Sequence, residues 1–276
     1  MQTIFTDHEK MFHNIKKAAR RYLDDNPNLS SLIMGISGGI DSALTCALAH
    51  EVIKDMPRGQ LIGRSIPIET NTAQELARAR AMGNAFCDHF ESKDLTDAYR
   101  NLYQALVGQE RARDGSTGEK IRRGNIKARV RMTYLFDLAH HEQGMVLSTD
   151  NYTELLLGFW TLHGDVGNYG LLQYLWKTEV YGLAGYLVDR YRQAAASDKA
   201  DALQQCIEAV PTDGLGITES DFDQIGVPDY AAADQLLMAY LDGKTVDTAH
   251  PVIQRHLGSM FKRLDPQNID RKTIIE

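Results

Sequence analysis

The chain has 276 residues, 43% of them hydrophobic, with both charge signs well represented, which suits a packed, soluble globule of one large α/β domain or two small domains. No apolar run reaches the roughly 20 residues of a membrane span, and the polar start MQTIFTDHEKMFHNIKK holds no signal core, so a cytoplasmic protein without a membrane partner is expected. A net charge of −7 argues against a general nucleic-acid partner, which needs a basic face; the local basic run Lys120–Arg131 suits a small anion instead. Three widely spaced cysteines, Cys46, Cys87 and Cys206, form no disulfide or zinc pattern and read as buried small hydrophobes.

In chain order, residues 8–24 place Met11, Ile15, Ala18, Ala19, Tyr22 and Leu23 at helical spacing, ended by Asp24-Asp25-Asn26-Pro27. Ser31–Ile36 is a short apolar run that predicts a buried strand, Ser37-Gly38-Gly39 breaks it, and Asp41–Ile53 continues as a helix. Gln60–Ile68 predicts a second strand and Thr72–Phe86 a helix. Residues 94–107 are expected to be helical, Arg111–Glu119 a polar loop, Gly124–Glu142 a long helix and Gly144–Ser148 a third strand. Asn151–Trp160, Glu179–Ala196 and residues 229–241 predict further helices, and Pro211–Pro228 a long loop of the kind that often serves function. Strands alternating with helices predict a doubly wound parallel sheet with helices on both faces, in one domain over residues 1–276.

The sharpest signal is Gly35-Ile36-Ser37-Gly38-Gly39-Ile40-Asp41-Ser42, which leaves a strand and opens a helix. Gly38 and Gly39 let backbone N–H groups approach an anion, Ser37 and Ser42 add hydroxyls, and the helix N-terminus adds its dipole. Asp41 stands where a magnesium ion bridging phosphates takes a hard oxygen ligand. The Gly-Lys-Ser/Thr ending of the nucleoside-triphosphatase loop is absent, and so is the G-x-G-x-x-G dinucleotide fingerprint.

This S-G-G-x-D-S string resembles the signature of the N-type ATP pyrophosphatases, and later segments resemble the NAD synthetases among them. Gly124-Asn125-Ile126-Lys127-Ala128-Arg129-Val130-Arg131-Met132 is similar to that family's G-N-x-x-A-R-x-R-M helix, and Ser148-Thr149-Asp150-Asn151 to its G-T-D-H strand end. Glu154 with Gly158-Phe159-Trp160-Thr161 is similar to E-x-x-x-G-F-F-T, Gly164-Asp165 to Y-G-D, and Lys177-Thr178-Glu179-Val180-Tyr181 to K-T-Q-V-Y. Pro211-Thr212 and Lys262-Arg263 resemble the P-T and H-K-R of the same family.

The resemblance implies that ATP adenylates a carboxylate, that pyrophosphate leaves, and that ammonia then displaces AMP. It assigns ATP to Gly35, Ile36, Ser37, Gly38, Gly39, Ile40, Asp41, Ser42 and Arg64, with Thr149, Lys177 and Thr212 on the phosphates or ribose. It assigns Mg2+ to Asp41 and Glu154, phosphate stabilisation to Lys177, and acceptance of the ammonia proton to Asp165. Plainer readings stay open: Arg64 as a solvated strand end, Glu154 as an exposed helical acid, Asp165 as a turn former, Lys177 as a surface cation. A homodimer is also implied. No segment of the chain resembles a glutaminase domain and none of the three cysteines has a nucleophile setting, so free ammonia, or ammonia received from a partner, is the expected nitrogen donor.

The substrate side departs from the family pattern. Where the family contacts deamido-NAD through a lysine, two acids and a histidine, this chain has Leu162, Tyr169, Phe222 and Phe261, while Arg129 and Lys262 keep their charge. The T-D-H histidine is Asn151. Each lost charge-assisted contact is worth about 2 kcal/mol. Three readings follow: an ammonia-dependent NAD synthetase with a rebuilt pocket, a related ligase for a different and less charged carboxylate, or an ATP-binding regulator without catalysis.

Overall fold

The computed structural model describes residues 1–69, 71–107, 115–211, 222, 225–263 and 273. Its centre is β1 (Ser31–Gly35), whose side chains alternate between two helical layers. Leu32 and Met34 enter the larger core, with α1 (His8–Asp25), α2 (Ile40–Ile53), α3 (Ala73–Phe86), α7 (Lys177–Gln193) and α8 (Ser197–Ile207). Ile33 points the other way, onto Met132, Leu135 and Ala139 of α5 (Thr117–His141). β2 (Gln60–Ser65) and β4 (Gly144–Ser148) repeat the alternation: Leu61, Met145 and Leu147 face one layer, Ile62 and Val146 the other. α2 is apolar on all sides because it packs against α1, α3, α7 and α8 at once.

With β3 (His89–Ser92) and β5 (Tyr169–Gly170), the sheet has five strands in the order β3-β2-β1-β4-β5, and every pairing is parallel. The chain winds outward from β1 through β2 to β3, then returns to build β4 and β5 on the other side. Between β1 and β4 lies the switch point where open α/β sheets bind ligands. The expected fold class is therefore the observed one.

Several boundaries differ from expectation. β2 ends at Ser65 rather than Ile68, since Pro67 has no N–H for the ladder. β3 and β5 were not anticipated: both are short edge strands, and HFES is mostly exposed and polar. α5 starts at Thr117 instead of Gly124, because the Ser116 side chain caps it by accepting from the Glu119 N–H at 3.1 Å. The expected loop at Arg111–Glu119 is thus helical from Thr117, while 111–114 lie outside the described residues. α6 (Tyr152–Leu157) stops at left-handed Gly158, φ +66°, rather than at Trp160. α7 begins at Lys177 and a break at Ala195, φ +55°, sets off α8. Most of the expected loop Pro211–Pro228 lies outside the described residues, but Ile225 is fully buried.

α9 (Tyr230–Leu241) and α10 (Pro251–Gly258) pack with α6 around Leu156, Leu157, Trp176, Tyr230, Leu237, Val252 and Ile253, a second core beside the switch point. A fourth group of buried side chains joins α4 (Thr96–Val107) to α5 through Tyr99, Tyr103 and Ile126. Cys46 and Cys206 are buried and Cys87 is half-buried; all three are free, with the Cys46 and Cys87 sulfurs 3.7 Å apart. Among the described residues no helix is long and apolar enough to cross a membrane.

Candidate active site

Gly35 ends β1, and the chain turns through Ser37–Gly39 into α2. Gly38 has φ +87°, and a Cβ there would stand 2.5 Å from the Glu75 carbonyl oxygen on α3. The turn is tied to itself: the Ser37 and Ser42 hydroxyls are 3.0 Å apart, Gly39 N–H donates to Ser37 Oγ at 3.2 Å, and Ser42 Oγ donates to Gly39 O at 3.0 Å. Arg78 on α3 donates to the Gly38 carbonyl at 2.8 Å. The N-cap Gly39 offers no side chain to the first turn of α2, whose N–H groups are thereby left for an anion.

Three charged side chains from three elements meet beside this turn. Lys177 Nζ, at the start of α7, lies 2.5 Å from Asp41 Oδ2 and 2.9 Å from Glu154 Oε1 on α6. Its side chain is 3% exposed; those of Asp41 and Glu154 are each 18% exposed. Burial works against the lysine charge, but attraction to Asp41 and then Glu154 outweighs it and lifts its pKa well above the ordinary value. Burial, then repulsion from Asp41, pushes Glu154 up to about 8, with Lys177 opposing. Asn151 caps α6 by accepting from Glu154 N–H at 3.0 Å and donates to Asp41 Oδ1 at 2.8 Å. The Tyr230 ring lies 5.0 Å from Lys177 Nζ. The surface-cation reading of Lys177 and the exposed-acid reading of Glu154 do not survive this geometry.

The cluster opens into a cleft of 710 Å³ at the C-terminal ends of β1, β2 and β4. The cleft is lined by Gly35, Ile36, Ser37, Gly39, Ile40, Asp41 and Ser42, by Arg64 and Thr149, and by Glu154, Asp165, Lys177 and Lys262. Arg64 donates to the Tyr134 hydroxyl at 3.2 Å and to Gly63 O at 2.9 Å. Asp165 Oδ1 accepts the Thr161 N–H at 2.8 Å, and burial pushes its carboxyl up to about 6, with the Thr161 N–H and Lys262 opposing. Asp150 accepts from Ser148 Oγ at 2.7 Å and is pushed up to about 7 by burial and then by Asp165. Lys262 Nζ donates to the carbonyls of Gly158 and Trp160 at 2.7 and 2.5 Å.

The remaining expected substrate residues lie apart from the lining. Arg129 donates through Nε and Nη2 to the Leu162 carbonyl, at 3.3 and 3.0 Å. Tyr169 stacks on Tyr22, with ring centroids 4.5 Å apart, because β5 carries it to the α1 side of the sheet. Phe222 packs edge-on against Tyr230 at 5.1 Å, and Phe261 is 59% exposed. Thr212 lies outside the described residues; its neighbour Pro211 lines the cleft. Sequence reasoning missed Arg78, Asn151 as a partner of Asp41, Tyr230 and Arg255, whose guanidinium stacks 3.9 Å from the Phe159 centroid in the cleft wall. Only Asn151 left a trace, as the odd residue of a recognisable string.

A parallel sheet that presents a Ser-Gly-Gly-x-Asp-Ser turn at its switch point, with an acid–lysine–acid cluster beside it, has the architecture of the adenine nucleotide α-hydrolase fold. A family model for NAD synthase matches residues 11–263, and the chain belongs to that family. Among curated relatives it is 31% identical over 214 residues to the NH(3)-dependent NAD(+) synthetase of Pelodictyon phaeoclathratiforme, covering 77% of this chain and 68% of that one. It is 29% identical over 232 residues to the synthetase of the same name from Chlorobium phaeobacteroides, covering 84% and 74%. Similar solved structures include NMN synthetase from Francisella tularensis (TM-score 0.76, 23% identity, 96% of this chain and 98% of that one). The NH3-dependent NAD synthetase from Campylobacter jejuni is also similar (TM-score 0.67, 20% identity, 96% and 99%).

Proposed function

We propose that this protein is a carbon–nitrogen ligase that amidates deamido-NAD to NAD, using ATP and ammonia and releasing AMP and pyrophosphate. The observation that carries this reading is the uncapped Ser37–Ser42 turn set against the Asp41–Lys177–Glu154 cluster in one cleft. A carboxylate is a poor electrophile, and transfer of AMP to it makes a good leaving group. The first-turn amides of α2 hold the departing pyrophosphate, and the Lys177 charge offsets the charge that builds on it. Ammonia then attacks the acyl carbon. Asp165, ionised above about pH 6, accepts the proton that the nitrogen sheds.

Mg2+ fits the donor set. Asp41 Oδ2 and Glu154 Oε1 converge on one cation, Lys177 Nζ. Among the described residues no group of three or more His, Cys, Asp or Glu forms a metal cage, so the ion would be held jointly by these carboxylates and by phosphates, as magnesium commonly is. When bound, it would neutralise phosphate charge. The single-domain organisation, the homodimer and the cytoplasmic setting belong to the same reading.

The apolar and aromatic residues at Leu162, Tyr169, Phe222 and Phe261, where the family pattern has charged or polar ones, raise a second reading from the sequence, a ligase for a different, less charged acid; all four lie apart from the cleft lining. The similarity to a protein named NMN synthetase makes the acid whose amide is NMN the first to try. Pyrophosphate release measured with ATP, magnesium, ammonium and either acid separates the two. Turnover of deamido-NAD supports the first; turnover of the mononucleotide acid alone supports the second. No release with either acid refutes both.

A further inference from the structure

Asp234 on α9 is fully buried and lies outside the cleft lining. Its Oδ1 accepts the Thr153 hydroxyl at 2.5 Å. Its Oδ2 accepts the Thr178 N–H at 2.9 Å and the Thr178 hydroxyl at 2.6 Å. Thr153 Oγ1 in turn accepts the Lys177 N–H at 2.9 Å.

Thr153 and Thr178 are the chain neighbours of Glu154 and Lys177, the two halves of the 2.9 Å ion pair. One carboxylate therefore holds the Thr178 main chain beside Lys177 and the Thr153 hydroxyl beside Glu154, and ties the first turn of α7 to α6. Neighbouring Ala233 and Leu237 already seat α9 in its apolar core, so packing alone would be served by an apolar side chain at 234. Burial pushes the Asp234 carboxyl upward against the opposing Thr153 and Thr178 hydrogen bonds, so the group is kept at a cost that packing does not explain. What it supplies is direction: fixed acceptors for three donors on two helices.

The geometry points to Asp234 as a positioning residue for adenylate formation, one that sets the spacing of Lys177 and Glu154 without touching substrate. This rests on the function proposed above. The residue acts through main-chain and threonine contacts, so its loss lowers turnover more than nucleotide affinity.

Asp234→Asn keeps the volume and an acceptor for Thr178. Its amide N–H can donate to the second lone pair of Thr153 Oγ1, which reverses that bond and leaves the Thr153 hydroxyl proton without its acceptor. In the full chain, Asp234→Asn is expected to stay folded by thermal denaturation, to lower kcat for pyrophosphate release at least about tenfold, and to hold KM for ATP within about threefold. A folded variant with native kcat, or one whose loss falls wholly in KM, overturns the inference.

If Asp234→Asn does not fold, Thr153→Val and Thr153→Ser decide. Loss with valine and near-native kcat with serine supports the role; equal rates in the two overturn it. If the native chain itself releases no pyrophosphate, the proposed function fails, and a crystal structure of Asp234→Asn still judges this inference. A Lys177 Nζ to Glu154 Oε1 separation unchanged from 2.9 Å would refute it, and a widened one would support it.

Discussion

Lys177 carries its charge at 3% exposure only because two carboxylates share it. Lys177→Met leaves Asp41 and Glu154 facing each other without a cation. Removing one partner of a buried ion pair costs about 3–5 kcal/mol, less what the acids recover by binding a proton. Denaturant titration is expected to show that loss, and pyrophosphate release is expected to fall at least about a thousandfold; native stability and rate together would refute the assignment. Asp165 gives a pH signature. Its carboxyl is raised by burial to about 6 from an ordinary 3.8. The base form is lost as pH falls through 6, so kcat/KM is expected to drop there, and Asp165→Asn is expected to be slow and to lack that step. The stability sign is opposite: a raised carboxyl pKa stabilises below about pH 4, and that contribution is lost as pH rises through 6. Asp165→Asn is therefore expected to gain stability on the native chain at pH 8 compared with pH 4 in thermal denaturation. Asp41, Glu154 and Lys177 were legible because each sits in a string of fixed order. Asp234 was not, because nothing local separates it from a solvated helical acid.

The turn between β1 and α2 is braced from behind by α3, whose N-terminus is fixed by a capping box between Thr72 and Glu75. A methyl group at Gly38 would meet the backbone oxygen of Glu75 at 2.5 Å, and its left-handed φ would be strained as well. Gly38→Ala is expected to cost about 1–3 kcal/mol and to weaken ATP binding at least about tenfold by calorimetry; unchanged affinity would mean that the turn does not hold the nucleotide. Glycine at this point was readable from the strand–turn–helix context. The edge strands were not: His89–Ser92 has only Phe90 half-buried, and Tyr169–Gly170 is too short for any alternation to register. The start of α5 was misplaced because Gly124 looks like a helix boundary, whereas here it is buried inside a helix already nucleated at Ser116.

At the scale of the molecule, alternating strands and helices foretold a parallel sheet but not its order, since periodicity is local and β1–β4 adjacency is decided by how the chain crosses over. The family resemblance also implies a homodimer. Light scattering at micromolar concentration is expected to give twice the chain mass, and a single chain mass would remove that part of the reading. The switch point has a kinetic corollary. Asp41 follows β1, Glu154 follows β4, Lys177 opens α7, and Tyr230 belongs to α9. Stretches that far apart in the chain come together late, after large loops have closed. During refolding, and during synthesis from the N-terminus, the capacity to take up nucleotide should thus emerge last, when helical content is already largely in place.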